Sequence, residues 1–107
     1  MRGDIWQPTP HGGRIVGWLE LSADTLAAAP TVTVAAVTGQ PPAPDVGWPL
    51  AVAVPTPTGD AETWWVRVTQ LHTLPRADLD HRIRRLPAHL LCRVDAALTQ
   101  TLGITTR

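Results

Sequence analysis

The run from Thr31 to Gly39 constrains the fold of this chain more than any other stretch. Its sequence, TVTVAAVTG, is rich in β-branched residues, carries no charge and is bounded by prolines on both sides. β-Branched residues favour extended backbone, and prolines end regular elements. A run whose only polar side chains are threonines is typical of a strand buried on both faces. We therefore expect a central strand that ends at Thr38 and presents this hydroxyl at the mouth of a loop.

Shorter strand patterns surround this run, and one helix is expected near the end of the chain. Gly17, inside the second strand, indicates a bulge or a close backbone approach, and Ser22 is placed to cap a helical turn. Pro87 suits the first position of an amphipathic helix that stops at Gly103. The helix carries one apolar stripe, whose residues recur at steps of three and four: Leu90, Leu91, Val94, Leu98 and Leu102. The remaining strands are expected at 5–6, 14–21, 48–54, 62–69 with a continuation past a bend to 74, and 81–86. This pattern predicts a single domain over residues 1–107, mainly β with a C-terminal helix, folded as a small, strongly bent sheet or open barrel.

Charge and cysteine content exclude several classes of protein. Nine acidic and nine basic residues cancel, so the net charge favours no particular partner. All nine basic residues are arginine, whose planar fork suits phosphates and base edges, although a GC-rich genome gives the same bias and composition alone favours that explanation. The single cysteine, Cys92, excludes an internal disulfide and fits a reducing cytosol. No 18-residue apolar run or charged leader is visible, so we expect a cytoplasmic protein without a membrane span.

Arg14 and Thr38 form the first candidate site, because the ends of neighbouring strands can bring them together. A half-buried arginine neutralises a phosphate and stabilises the charge that grows during phosphoryl transfer, and a threonine hydroxyl beside it binds the same group. The competing interpretation, which spacing alone favours, is that Arg14 faces solvent and Thr38 only closes its strand. His11, in the loop before Arg14, is a candidate for proton transfer, although a lone histidine is more often a surface residue. No two histidines have HxH or HxxxH spacing, so no metal or cofactor is expected.

A basic cluster near the end of the chain is the second candidate site. Arg82 and Arg84 share one face if the segment is an extended strand, where they are placed to contact nucleic-acid phosphates. An edge strand that repels other strands by its charge explains the cluster equally well. The tryptophans are able to stack bases, but a chain without Phe or Tyr needs them in its core. We expect Trp6, Trp18 and one of Trp64 and Trp65 to be structural.

The order and spacing of these motifs resemble the MazF/PemK family, the toxin half of type II toxin–antitoxin pairs. The opening MRGDIW is similar to the family's Arg-Gly-(Asp/Glu)-Ile-Trp start, and residues 32–39 resemble its Val-Pro-(Leu/Ile)-Thr-Ser strand, with Ala36 in place of proline. Residues 70–79 resemble its Gln-Ile-Arg-Thr-Val stretch, and residues 82–98 its closing strand and helix. The resemblance covers nearly the whole chain and implies a small SH3-like open barrel, the MazF/CcdB-like toxin fold.

The resemblance also implies an activity, which is metal-independent, sequence-selective cleavage of single-stranded RNA. In that reaction the ribose 2′-hydroxyl attacks the adjacent phosphate and leaves a cyclic phosphate and a 5′-hydroxyl. The family uses an arginine at the start of the second strand and a threonine at the end of the third. Thr38 matches the threonine, and Arg14 is the nearest arginine, although the family's register places that position on Val16. A bulge at Gly17 would absorb the offset. A homodimer and a cognate MazE-like antitoxin are the implied partners.

A non-enzymatic binder on the same scaffold is the alternative function. One form is a gyrase poison like CcdB, whose activity depends on a C-terminal Trp-Gly-Ile. This chain has Leu102-Gly-Ile104 and continues to Arg107, which counts against that form. The other form is a MazF-like protein that binds RNA or an antitoxin without cleavage.

Overall fold

The computed structural model describes residues 1–8, 15–39, 51–56 and 63–103. Within these ranges the strands and the helix are β1 (Asp4–Trp6), β2 (Ile15–Glu20), β3 (Thr31–Thr38), β4 (Ala51–Pro55), β5 (Thr63–Pro75), β6 (Arg82–Arg85) and α1 (Ala88–Leu102). The six strands form one antiparallel sheet in the order β4-β5-β3-β2-β1-β6. The helix α1 follows the last strand and packs against β4 and β5. This curled half-barrel with a C-terminal helix confirms the predicted fold class.

The predicted central strand, β3, lies between β2 and β5. Every residue from Val34 to Thr38 is buried, whereas Thr31 and Thr33 are exposed. The strand is therefore buried on both faces only in its second half. It divides the apolar side chains into a larger core under α1 and a smaller cluster on the opposite face, which contains Trp18, Val32, Val34 and Ala36.

The helix α1 closes the larger core. Leu90 and Val94 of the predicted stripe are buried, together with Ala97, which the stripe did not include. Leu102, at the end of the predicted stripe, is 56% exposed, so the last residue of the stripe does not contribute to the core. Gly103 ends the helix with a positive φ of 70°, as predicted for a glycine stop.

A bulge in β2 confirms the role expected of Gly17. Ile15 pairs with Thr38 and Gly17 pairs with Val37, so the residue between them has no counterpart on β3. A Cβ on Gly17 would lie 2.8 Å from Cγ2 of the buried Ile5. The glycine is therefore required by the close approach of β1.

A larger irregularity bends β5, where the sequence predicted a continuation past a bend. Ala35 of β3 pairs with Leu71, and the next residue, Ala36, pairs with Arg67. Three residues of β5 are consequently unmatched on β3, and extra residues of this kind bend a strand. β4 pairs only with the first part of β5, up to Arg67.

The prediction that Ser22 caps a helical turn is wrong. The short 3-10 turn Asp24–Leu26 begins after Ala23 and has no side-chain cap. The Ser22 hydroxyl instead accepts a hydrogen bond of 2.8 Å from the backbone N–H of Thr33. It thereby satisfies a backbone donor of β3 just beyond the last β2–β3 pair, and Ser22 does not cap the turn.

Candidate functional site around Thr38

Thr38 is the last residue of β3, and it is only 6% exposed. It pairs with Ile15 of β2 on one side and with Trp65 of β5 on the other. Paired residues share a face of the sheet, and alternation along β3 places Thr38 on the same face as Ala36. The hydroxyl therefore lies on the face opposite α1. Its position at the end of the central strand is the one that the sequence predicted.

An arginine from β5 contacts this hydroxyl. Arg67 Nε donates a hydrogen bond of 3.2 Å to Thr38 Oγ1. Arg67 is half-buried and pairs directly with Ala36 and with Ala51, so only methyl groups flank it on the neighbouring strands. Its side chain has room to cross the sheet diagonally to Thr38, two residues along β3 from Ala36.

Arg67 is not among the site residues predicted from the sequence. Alternation along β5 places it on the face of Trp65, opposite Val66 and Val68, and the burial of both valines agrees with that alternation. A signal was present, because Arg67 is the single arginine in an otherwise largely apolar strand pattern. Its contact with Thr38, however, depends on the three-residue shift between β3 and β5.

Two predicted site residues, Arg14 and His11, lie outside the described residues, so their roles remain predictions. Arg14 directly precedes Ile15, the residue that pairs with Thr38. Val16, where the family's register places its arginine, packs against the larger core under α1. Its side chain is therefore on the opposite face of the sheet from Thr38.

The expectation that Arg82 and Arg84 share a strand face is wrong. Asp4 pairs with Arg85 and Ile5 pairs with Arg84, but Trp6 pairs with Arg82, so one residue of β6 is bulged out. Arg82 and Arg85 consequently lie on the face of Asp4, and Arg84 lies on the other.

The contacts of the three arginines follow this division. Arg85 Nε donates a 2.9 Å hydrogen bond to Asp4 Oδ1, and Arg82 Nη1 is 3.7 Å from the same oxygen. Arg84 Nη1 donates a 2.9 Å bond to the backbone oxygen of Pro55 at the end of β4. Because β4 and β6 are the two outer strands, Arg84 joins the open edges of the half-barrel. The role of Arg82 and Arg84 in RNA binding stays a prediction.

Two buried carboxylates, Asp4 and Glu20, organise the start of the chain. The Met1 amino group donates to Asp4 Oδ2 at 3.0 Å and to Glu20 Oε1 at 3.1 Å. Glu20 also accepts bonds from Trp6 Nε1 at 3.1 Å and from Arg76 Nη1 at 3.4 Å. Trp6 therefore has the structural role that was expected.

The cationic neighbours of Asp4 determine its protonation. Burial by itself raises the pKa of Asp4, but hydrogen bonds from the Met1 amino group and Arg85 outweigh burial and hold this pKa below its ordinary value of 3.8. Asp4 is therefore ionised at neutral pH. The cluster lies on β1 and β2, away from Thr38, and its role in this structure is to hold β1, β2 and β6 together.

Among the described residues, no helix is long and apolar enough to cross a membrane. The same residues bring no three His, Cys, Asp or Glu side chains together in a group able to hold a metal ion.

The curled sheet with its C-terminal helix is a fold that this chain shares with several solved structures. A mycobacterial endoribonuclease in complex with its cognate antitoxin has a TM-score of 0.81 and 19% identity, covering 100% of this chain and 98% of that one. The Mycobacterium tuberculosis toxin MazF-mt6 has a TM-score of 0.78 and 21% identity, covering 96% and 99%. The MazE–MazF complex from Deinococcus radiodurans has a TM-score of 0.72 and 22% identity, covering 96% and 95%. At these identities the likeness establishes the fold.

The family follows from the sequence itself. The model of the family described as the PemK-like, MazF-like toxin of type II toxin–antitoxin systems matches residues 2–102. The chain therefore belongs to this family, as its motifs predicted. No curated protein matches it in sequence.

Proposed function

We propose that this chain is the toxin of a type II toxin–antitoxin pair and acts as an endoribonuclease on single-stranded RNA without a metal ion. Membership of the PemK/MazF family over residues 2–102 supports the toxin role. The fold shared with proteins named endoribonucleases supports the activity. The observation that carries the proposal is the buried Thr38 hydroxyl, held by the Arg67 guanidinium at the end of the central strand.

The chemistry is an internal phosphoryl transfer in the RNA. The 2′-hydroxyl oxygen bonds to the adjacent phosphorus, the bond to the 5′-oxygen of the next nucleotide breaks, and a cyclic phosphate and a 5′-hydroxyl result. The 2′-hydroxyl loses a proton and the departing 5′-oxygen gains one, and His11 is the proposed proton carrier. Negative charge grows on the phosphate oxygens, where Arg14 and Thr38 are proposed to stabilise it. In this scheme Thr38 binds either the phosphate or the 2′-hydroxyl.

The surroundings of the site suggest how RNA is held. Trp65 pairs with Thr38 and is partly exposed, so its indole is placed to stack on a base beside the bound phosphate. Arg82 is 54% exposed and is proposed to guide the strand by its charge. Arg84 is proposed to assist from the other face, although its guanidinium also holds β4.

The proposed partners are a second copy of the chain and a cognate MazE-like antitoxin, in the cytoplasm. Solved complexes of similar proteins with antitoxins support the antitoxin. A co-purification of this chain with the product of the adjacent short gene tests that partner. Analytical ultracentrifugation at micromolar concentration tests the homodimer. A sedimenting mass equal to that of one chain would contradict it.

Site variants test the proposed reaction. The wild type, Thr38→Val, Arg14→Gln and the control Arg93→Gln, which changes an exposed helix arginine, are incubated with a single-stranded RNA oligonucleotide in EDTA. We expect Thr38→Val and Arg14→Gln each to lower the cleavage rate by about 10²–10³-fold, the usual effect of removing one group that stabilises developing charge, and Arg93→Gln to cleave normally. Full activity of both site variants would remove the proposed centre. Tight RNA binding by a wild type that never cleaves would support the non-catalytic alternative.

A further inference from the structure

Arg67 is a half-buried cation on β5, a strand that is paired on both sides at this position. Ala36 and Ala51 are its partners on the two flanking strands. The side chain is half-buried and its Nε–H points to Thr38 Oγ1 at 3.2 Å. Burial of an arginine costs free energy unless hydrogen bonds compensate it. The bond to Thr38 is one such compensation, and it joins this charge to the proposed reaction centre.

We propose that Arg67 is a positioning residue that sets the polarity of the Thr38 hydroxyl, so that this hydroxyl donates a hydrogen bond to a phosphate oxygen of the RNA. The proposal rests on the proposed function and deepens it. It chooses between the two roles of Thr38, contact with the phosphate or with the 2′-hydroxyl.

The argument starts from the donors and acceptors of the two groups. A guanidinium has only donors, whereas a hydroxyl has one O–H donor and two lone pairs. In the Arg67–Thr38 bond the Thr38 oxygen is therefore the acceptor, and its own hydrogen must point elsewhere. A hydrogen bond that is accepted from a cation polarises the hydroxyl and makes it a better donor to its next partner.

The two candidate groups of the RNA differ in what they require. A non-bridging phosphate oxygen accepts hydrogen bonds and cannot donate them, so it matches a hydroxyl that is directed to donate. A 2′-hydroxyl that attacks phosphorus must give up its proton to an acceptor. Thr38 Oγ1 is poorly suited to accept it, because the positive charge of Arg67 beside it disfavours a second proton on that oxygen. The phosphate is therefore the group that the polarised hydroxyl fits.

The identity of the cation matters as well. An arginine stays charged at every working pH, and its planar fork fixes the direction of the Nε–H bond. A lysine keeps the charge but not that geometry. The effect of Arg67 on the rate is therefore expected to be the same across the pH range, and lysine should restore it only partly.

A double-mutant cycle tests the proposal. Single-turnover cleavage of one RNA oligonucleotide is measured for the wild type, Arg67→Met, Thr38→Val and the double variant, with Arg93→Met as the matched control. We expect Arg67→Met to lower the rate of the chemical step by about 10–100-fold with little change in KM, the effect of a lost hydrogen bond to a charged group. In the Thr38→Val background the same change should alter the rate by less than about threefold, because the two residues act as one unit.

Arg67→Lys and the pH profile distinguish positioning from a purely structural role. We expect Arg67→Lys to recover part of the rate and Arg67→Met to lower it equally at each pH. Thermal unfolding of each variant shows whether it is folded. The proposal would be overturned if Arg67→Met lowered the cleavage rate equally in the wild-type and Thr38→Val backgrounds. It would also be overturned if a folded Arg67→Met variant cleaved at the wild-type rate.

A measurement on the RNA-free protein separates this inference from the function on which it rests. The NMR signal of the Arg67 Nε–H should be protected from exchange, should persist in Thr38→Ser and should lose protection in Thr38→Val. If the protein cleaves RNA but the protection of the Arg67 Nε–H is the same in the wild type and in Thr38→Val, only the role of Arg67 is overturned. A Thr38-dependent signal in a protein that neither binds nor cleaves RNA refutes the proposed function, and the role of Arg67 in it falls too.

Discussion

Replacing Asp4 with asparagine removes the charge that holds the start of the chain against β6. Asp4 accepts hydrogen bonds from the Met1 amino group at 3.0 Å and Arg85 Nε at 2.9 Å, and Arg82 Nη1 lies 3.7 Å away. A hydrogen bond to a charged group contributes about 1.5–3 kcal/mol. The Arg85 and Arg82 side chains are 46% and 54% exposed, so water screens part of their attraction. Asparagine also keeps one carbonyl oxygen, which still accepts one of the bonds.

We therefore expect Asp4→Asn to lower the free energy of unfolding by about 2 kcal/mol and the midpoint temperature by roughly 8–15 °C. Asp80→Asn is the matched control, because Asp80 is exposed and no ion pair involves it among the described residues. Thermal and urea unfolding at neutral pH measure both variants. A midpoint for Asp4→Asn that matches that of Asp80→Asn would refute the assigned role of the carboxylate.

The pH dependence of stability tests the same role of Asp4 independently. The pKa of Asp4 is lower in the folded protein than its ordinary value of 3.8. Its contribution to stability is therefore present above about pH 4 and is lost as the pH falls through the folded pKa. The stability difference between the wild type and Asp4→Asn should close toward acid pH. A difference that is constant from neutral to acid pH would show that the carboxylate charge is not its source.

The remaining predictions concern the packing and the closure of the half-barrel. Gly17→Ala places a methyl group 2.8 Å from Cγ2 of Ile5, and we expect a loss of about 1–3 kcal/mol in urea unfolding; unchanged stability would contradict the close approach. Arg84→Gln removes the 2.9 Å bond to Pro55 between the two outer strands, and we expect faster amide exchange in β4 and a loss of about 1 kcal/mol. Arg93→Gln is its control, and identical exchange in the two variants would contradict the joining role.

Elements with a strong local period could be predicted from the sequence. The β-branched run of β3 and the three-and-four spacing before Gly103 each follow from neighbours in the chain, and both appear in the structure. The close contact at Gly17 was also visible, because a glycine within a strand needs a local reason. Thr38 could be placed at the end of its strand, because the same β-branched run ends there, just before Gly39.

The contacts of the candidate site depend on register, which the sequence does not determine locally. The Arg67–Thr38 bond exists because β5 shifts by three residues against β3 between Ala35 and Ala36. A bulge in β6 likewise turns Arg84 away from the face of the neighbouring arginines. A shift of one residue reverses the face of every later side chain, so these partners emerge only from the folded sheet.

The central claim, RNA cleavage that produces 5′-hydroxyl ends without a metal ion, is tested most directly by mapping those ends. Total RNA is incubated with the purified wild-type protein in EDTA, and new 5′-hydroxyl ends are labelled and sequenced. The account predicts ends at a small set of sequence-defined sites in single-stranded regions, and about 10²–10³-fold slower formation of these ends with Thr38→Val. In a synthetic RNA that carries 2′-deoxyribose at the cleaved nucleotide, it predicts no cleavage at that site. Cleavage that persists at the 2′-deoxy position, or new ends that carry 5′-phosphate, would contradict it.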